Sequence, residues 1–298
     1  MPLFDSYMVV DWSANGTPKT GRDSLWIAHL RPGQPLALSN PPTRHAAMTL
    51  IHATLSEEAR AGRRVLAGFD FAFGYPAGLA QTMAQSTGQG ADWRSIWAHL
   101  HDNLTDGPDN ANNRFDLAAS LNAHFPGDGP FWGNGLARDI PGLPRRKPLG
   151  WGETLPANRR LADSLAPGAQ EVWKLSGAGS VGGQSLTGQA ALEGLRRRLP
   201  IAVWPFEDHG HAPLVLAEVF PSLIPLDPSL HPIRDAAQVI ALAQALALWD
   251  TTARLSTLLD AARQMPESVR RFEAMILGLD PSPPATIRPA VADLSRDP

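Results

Sequence analysis

Tyr7-Met8-Val9-Val10-Asp11-Trp12-Ser13-Ala14-Asn15-Gly16 is the stretch on which the reading of the fold turns. A short apolar run ends at a carboxylate, and an Asn-Gly pair follows. Such a run reads as a buried strand, and Asn-Gly between apolar runs is a strong turn signal. Residues 24–30 alternate and form a second strand, Arg31-Pro32-Gly33 turns the chain, and residues 35–39 give a short third strand. The opening is therefore expected to be an antiparallel meander. Thr43 caps a helix reaching about residue 61, with Met48, Ile51, Leu55 and Ala59 as its apolar stripe. Arg64-Val65-Leu66-Ala67-Gly68-Phe69 is the next buried strand, and it too ends at an aspartate, Asp70. A helix between two such strands implies that the second lies parallel to its neighbour.

Beyond Asp70 the pattern breaks. Residues 71–170 hold four of the nine tryptophans and many Pro and Gly turns, with helices expected over 93–104 and 113–124. This stretch reads as an insertion into a core made of residues 5–70 and 171–265. A strand at 171–175, a helix at 187–199 and strands at 201–206 and 214–219 follow. A long helix is expected over 235–262 and a last one over 267–277. Residues 1–280 then form a single α/β domain, and 281–298 form a Pro-rich tail.

Composition narrows the function classes. The chain has 298 residues, 43% of them hydrophobic and 18% charged. That is a globular composition, long enough for a sizeable core. There are 28 prolines, against about 15 at average usage. The formal charge is -3, so no broad electropositive face for duplex nucleic acid is announced. The clusters Arg145-Arg146-Lys147 and Arg196-Arg197-Arg198 read as solvated faces. Without cysteine, thiolate catalysis, disulfides and cysteine zinc sites are excluded. His209 with His211, and His99 with His101, lack a third ligand at a recognisable spacing. No secretory signal and no run of 18 apolar residues is visible, so a cytoplasmic protein that does not engage membranes is expected.

Four acids stand out. Asp11 and Asp70 end strands, Glu218 sits inside the apolar strand Leu214-Val215-Leu216-Ala217-Glu218-Val219, and Asp235 opens a late helix. A carboxylate in an apolar strand is costly unless its charge is compensated. A cation does that, as does an arginine such as Arg234. Hard ions such as Mg²⁺ or Mn²⁺ take oxygen ligands, and carboxylates from several strand ends can hold them for phosphoryl displacement. Each acid also has an ordinary structural explanation, and Asp235 is the best helix cap in the chain.

Val9-Val10-Asp11-Trp12-Ser13-Ala14, Ala67-Gly68-Phe69-Asp70-Phe71-Ala72-Phe73-Gly74-Tyr75-Pro76, Leu216-Ala217-Glu218-Val219-Phe220-Pro221 and Arg234-Asp235-Ala236-Ala237 occur in that order. The order resembles the ribonuclease H-like fold and, within it, the predicted nucleases of domain of unknown function 429. The resemblance implies a mixed sheet flanked by helices and a metal-dependent phosphodiester hydrolase. Asp11, Asp70, Glu218 and Asp235 would be its metal ligands and catalytic residues, acting on a nucleic acid or nucleotide-like substrate. Two alternatives stand beside it. One is a non-catalytic protein of the same fold binding a small phosphorylated ligand, and the other is a role in nucleotide or cofactor metabolism.

Gly177-Ala178-Gly179-Ser180-Val181-Gly182 has the spacing G-x-G-x-x-G. The preceding 171–175 is too polar for the buried parallel strand of a dinucleotide fold. A phosphate contact at Gly177, Gly179 and Gly182, beside a helix start, is the milder expectation. Arg114, Arg138, Arg159 and Arg160 in the insertion are candidates for holding a substrate phosphate, and nothing in the sequence chooses among them.

Overall fold

A continuously buried run builds the first strand. In the computed structural model, which describes residues 1–88 and 90–279, β1 (Ser6–Asp11) has every residue buried up to Val10. Tyr7 and Val9 point to one face of the sheet, and Met8 and Val10 to the other. β2 (Trp26–Leu30) and β3 (Ala37–Ser39) complete the antiparallel meander. The Thr43 Oγ1 accepts the Ala46 N–H at 3.2 Å and starts α1 (Arg44–Arg60). This helix returns the chain to β4 (Val65–Phe69), parallel to β1 with Phe69 beside Val10.

α2 (Leu79–Thr87), α3 (Trp93–Asn103), α4 (Arg114–Asn122) and the short α5 (Leu161–Leu165) follow. α2, α3 and α4 gather around Tyr75, Phe131 and Trp173, whose rings meet at 5.1–5.6 Å, while Ala162 of α5 belongs to the cluster of Tyr7 and Val9. α6 (Gly182–Arg196) leads to β5 (Ile201–Trp204) and β6 (Leu214–Glu218). α7 (Arg234–Thr251) and α8 (Arg254–Asp260) cover the sheet. The result is an α/β architecture with one mixed six-stranded sheet ordered β3-β2-β1-β4-β6-β5, in which β1, β4, β6 and β5 are parallel. α7 and α8 pack on the face carrying Tyr7 and Val9. α1, α3 and α6 pack on the face carrying Met8 and Val10.

Three expected elements differ. Residues 171–175 form no strand, and only Lys174 makes a single bridge, to Trp132. The helix expected over 235–262 breaks where Ala253 takes φ 60°, dividing α7 from α8. The helix expected over 267–277 is one π turn, Val269–Glu273, after which Ile276 runs beside Glu218. That edge is covered because a buried strand end leaves backbone groups that need partners. The expected tail, 281–298, lies outside the described residues.

Candidate functional site

β1 lies where the chain changes direction across the sheet. From β1 it runs outward through β2 and β3, and α1 then carries it back to β4 on the other side. Ligands of open α/β sheets bind at such a switch point, beyond the carboxyl ends of the strands. Asp11 and Asp70 are the residues that end β1 and follow β4. With Val10 beside Phe69, the two aspartates are neighbours on adjacent strands, and their carboxyls come within hydrogen-bonding reach. One Asp70 oxygen accepts the Trp12 N–H at 2.7 Å, which fixes the start of the loop after β1.

Two half-buried carboxyls so close together repel as anions. Burial pushes Asp11 well above the usual aspartate range, and the charges of Asp70, Asp235 and Asp23 push it further. Burial pushes Asp70 up to about 7, against the opposing Trp12 N–H, and Asp235 adds to it. Burial and the neighbouring carboxylates thus favour the protonated form of the pair when no cation is nearby.

Asp235 stands in the first turn of α7, on the Asp11 side of the sheet. It does not cap its own helix, since Ile233 is the cap residue. Instead, Asp235 accepts the N–H of Asp23 at 2.6 Å. Asp11, Asp23 and Asp235 line one wall of a cleft of about 460 Å³.

Glu218 does not join them. Residues 214, 216 and 218 share one parity along β6, and Leu214 and Leu216 lie on the α1–α6 face. Asp11 shares its parity with Val9 and faces the other way. Both Glu218 oxygens are occupied: Arg160 donates to each at 2.7 Å, and the Phe73 N–H donates to one at 2.9 Å. Burial pushes this carboxyl up, and the guanidinium opposes it. The expectation of Glu218 as a metal ligand is therefore corrected. Its charge is compensated by an arginine, and that arginine is Arg160 from the insertion, not Arg234.

The same cleft is also lined by Arg114, Ser176, Gly177, Ser180 and Gln184. The structure separates the four insertion arginines. Arg138 pairs with Asp116, Arg159 donates to the carbonyls of Asp163 and Ala169, and Arg160 holds Glu218 and Asp163. Among the described residues, Arg114 has no carboxylate partner. Its Nη1 donates to Asn112 at 2.9 Å, its guanidinium lies over the Phe115 ring at 4.5 Å, and its buried Nε has no partner. Burial lowers it to about 10, and the charge of Arg44 adds to that. A Cβ on Gly183 would stand 3.1 Å from this Nε and 3.2 Å from Ala14, so the glycine makes room for the arginine.

The glycine run divides as well. Gly177, at φ 88°, lines the cleft. Gly179 turns towards Gln170, and the Gly182 N–H donates to Lys174 at 2.9 Å. The expected phosphate contacts at Gly179 and Gly182 are corrected to a turn glycine and a packing glycine. Asp23 and the serines were not legible in the sequence. The Gly182-Gly183 pair at a helix start was the available signal for Arg114, since paired glycines mark a close approach.

The donor set fits a hard, oxygen-seeking cation. Mg²⁺ is commonly held by one or two carboxylates plus waters and substrate phosphate, not by a full protein cage. Asp11 and Asp70 meet that description. Among the described residues, no group of three or more acidic or histidine side chains is set to hold a metal ion. No helix among them is long and apolar enough to cross a membrane. No family model, curated protein or solved structure matches the chain significantly.

Proposed function

We propose that the chain is a metal-dependent hydrolase of a phosphodiester or nucleotide-like substrate, acting in the cleft between Asp11 and Arg114. One observation carries this reading: Asp11, whose carboxyl lies within hydrogen-bonding reach of Asp70 at the switch point of the sheet, lines one cleft together with Arg114, which has no carboxylate partner among the described residues. The meander, the crossover helix and the parallel strands that follow also support a ribonuclease H-like arrangement. Asp11 and Asp70 would hold Mg²⁺ or Mn²⁺, with Asp235 adding negative charge. Such an ion supplies an activated water and neutralises charge on the phosphoryl oxygens.

The chain's own residues do the rest. Asp70 holds the loop after β1 through the Trp12 N–H, so the two carboxyls keep their separation. Arg114 binds a phosphate oxygen and stabilises the added negative charge at phosphorus. Ser180 donates to a remaining oxygen, while the Ser176 hydroxyl is committed to the Gly133 carbonyl at 2.6 Å. The loop carrying Ser13 and Asn15 is fixed from beneath by Arg44, which donates to both carbonyls at 3.0 and 2.8 Å.

The test is calorimetric titration of Mn²⁺ into the parent and into Asp11→Asn, followed by assays on dinucleotides, single strands and duplexes. Binding in the parent that is lost in the variant supports the reading, as does metal-dependent cleavage. Equal binding in both, or none in either, overturns the metal site. Metal binding with no cleavage of any diester would point instead to a protein that binds a small phosphorylated ligand.

A further inference from the structure

A second concavity, of about 370 Å³, lies on the α1–α3–α6 face. Its floor is apolar and made of small side chains, Ala190, Ala191 and Gly194 among them. Its rim is polar, with His45 and His52 from α1, His101 from α3, and Arg198 just beyond α6. Gly194 shapes it: a Cβ there would lie 2.8 Å from the His101 ring, whose Nδ1 donates to the Ala190 carbonyl at 2.9 Å.

The three arginines ending α6 are not equivalent. Arg196 and Arg197 are tied to Glu193, and Arg197 also to Asp102. Among the described residues, no side chain pairs with the exposed Arg198 guanidinium. The rim thus offers one cation unpaired among the described residues, beside imidazole rings and above a floor of small side chains. That combination suits a nucleotide: bases stack on histidine rings and phosphate pairs with arginine.

This groove adjoins the cleft. Arg44 lines the groove and holds the Ser13 and Asn15 carbonyls of the cleft loop. Thr187 lines the groove and accepts the indole N–H of Trp12, a cleft residue, at 3.1 Å. α6 underlies both, from Gln184 in the cleft to Arg198 at the far rim. At 1.5 Å per residue those positions are about 21 Å apart. With roughly 3.4 Å or more per nucleotide, that distance accommodates a few nucleotides of a strand.

We infer that the groove binds a single-stranded nucleic acid segment flanking the phosphate held in the cleft, so that the substrate is a strand of several nucleotides. This rests on the proposed hydrolase reading. Binding at the groove is nevertheless measured without metal or turnover.

The experiment is fluorescence anisotropy in EDTA, with a labelled single-stranded octanucleotide and a labelled dinucleotide, on the parent, Arg198→Ala and Ala191→Trp. The parent should bind the octanucleotide at least tenfold more tightly than the dinucleotide. Arg198→Ala should weaken octanucleotide binding about fivefold and lower the dependence of log K on log salt by about 0.7, the loss of one phosphate contact. Ala191→Trp, which fills the floor, should weaken it without touching the rim charge. Dinucleotide affinity should stay unchanged in both. An octanucleotide bound no more tightly than the dinucleotide, or bound equally by all three proteins, overturns the groove. So does a free mononucleotide that competes as well as the octanucleotide, since the groove would then serve a small molecule. Neither outcome bears on Mn²⁺ binding at Asp11.

Discussion

At the scale of single residues, the contact between Asp11 and Asp70 has a measurable cost. A carboxyl raised on folding stabilises the folded state below its ordinary range near 4, and that stability is lost as pH rises towards its folded value. For Asp70 the window runs from about 4 to about 7. In metal-free protein, Asp70→Asn removes one charge and keeps an oxygen for the Trp12 N–H. The variant should melt at least about 3 °C higher than the parent at pH 8 and no higher at pH 4. Thermal scans in EDTA across pH measure this, and a lower melting temperature at pH 8 would contradict it. Arg114 makes the converse case. Its removal breaks no ion pair, so Arg114→Ala should fold normally. It should also lose about 10–100-fold in kcat/KM on a diester, the worth of a charged hydrogen bond.

Elements explain why a residue that resembles a site residue is not one. Glu218 belongs to a lock between β6, α5 and the end of the π turn. Arg160 donates to Glu218, to Asp163 and to the Glu273 carbonyl at 2.9 Å, and Glu273 accepts the Leu161 N–H at 2.7 Å. Breaking a buried pair leaves an uncompensated charge, at a cost of about 3–5 kcal/mol. Glu218→Gln should therefore lower the denaturant midpoint strongly while leaving Mn²⁺ affinity of the folded protein as in the parent. A loss of metal binding with unchanged stability would return Glu218 to the site. Helix α6 serves two purposes. Gly188 lets it lie directly against the Phe71 ring, and Gly183 lets Arg114 pass into the cleft.

Across the whole molecule, the insertion is built into the core. Its apolar cluster includes Leu186 and Ala190 of α6, and its Arg160 binds a core strand. Unfolding should therefore be one transition, with far-ultraviolet circular dichroism and tryptophan fluorescence following the same denaturant curve. An earlier fluorescence transition would show that residues 71–170 unfold separately.

The sequence by itself determined the β1–β4 scaffold and the position of its two aspartates. Apolar runs ending at Asp11 and Asp70, and a helix whose Thr43 cap is visible as a residue type, are local signals. Local signals report periodicity and caps. What they lack is the face on which a strand residue emerges relative to other strands. That parity sends Asp11 towards α7 and Glu218 towards the opposite face. It also left the partner of Glu218 open, because Arg160 lies 58 residues away in a stretch without regular pattern. Only the tertiary structure separated four insertion arginines into three with partners and Arg114. An arginine's role depends on which acceptors the fold brings within 3 Å, and contacts of that kind cross the whole chain.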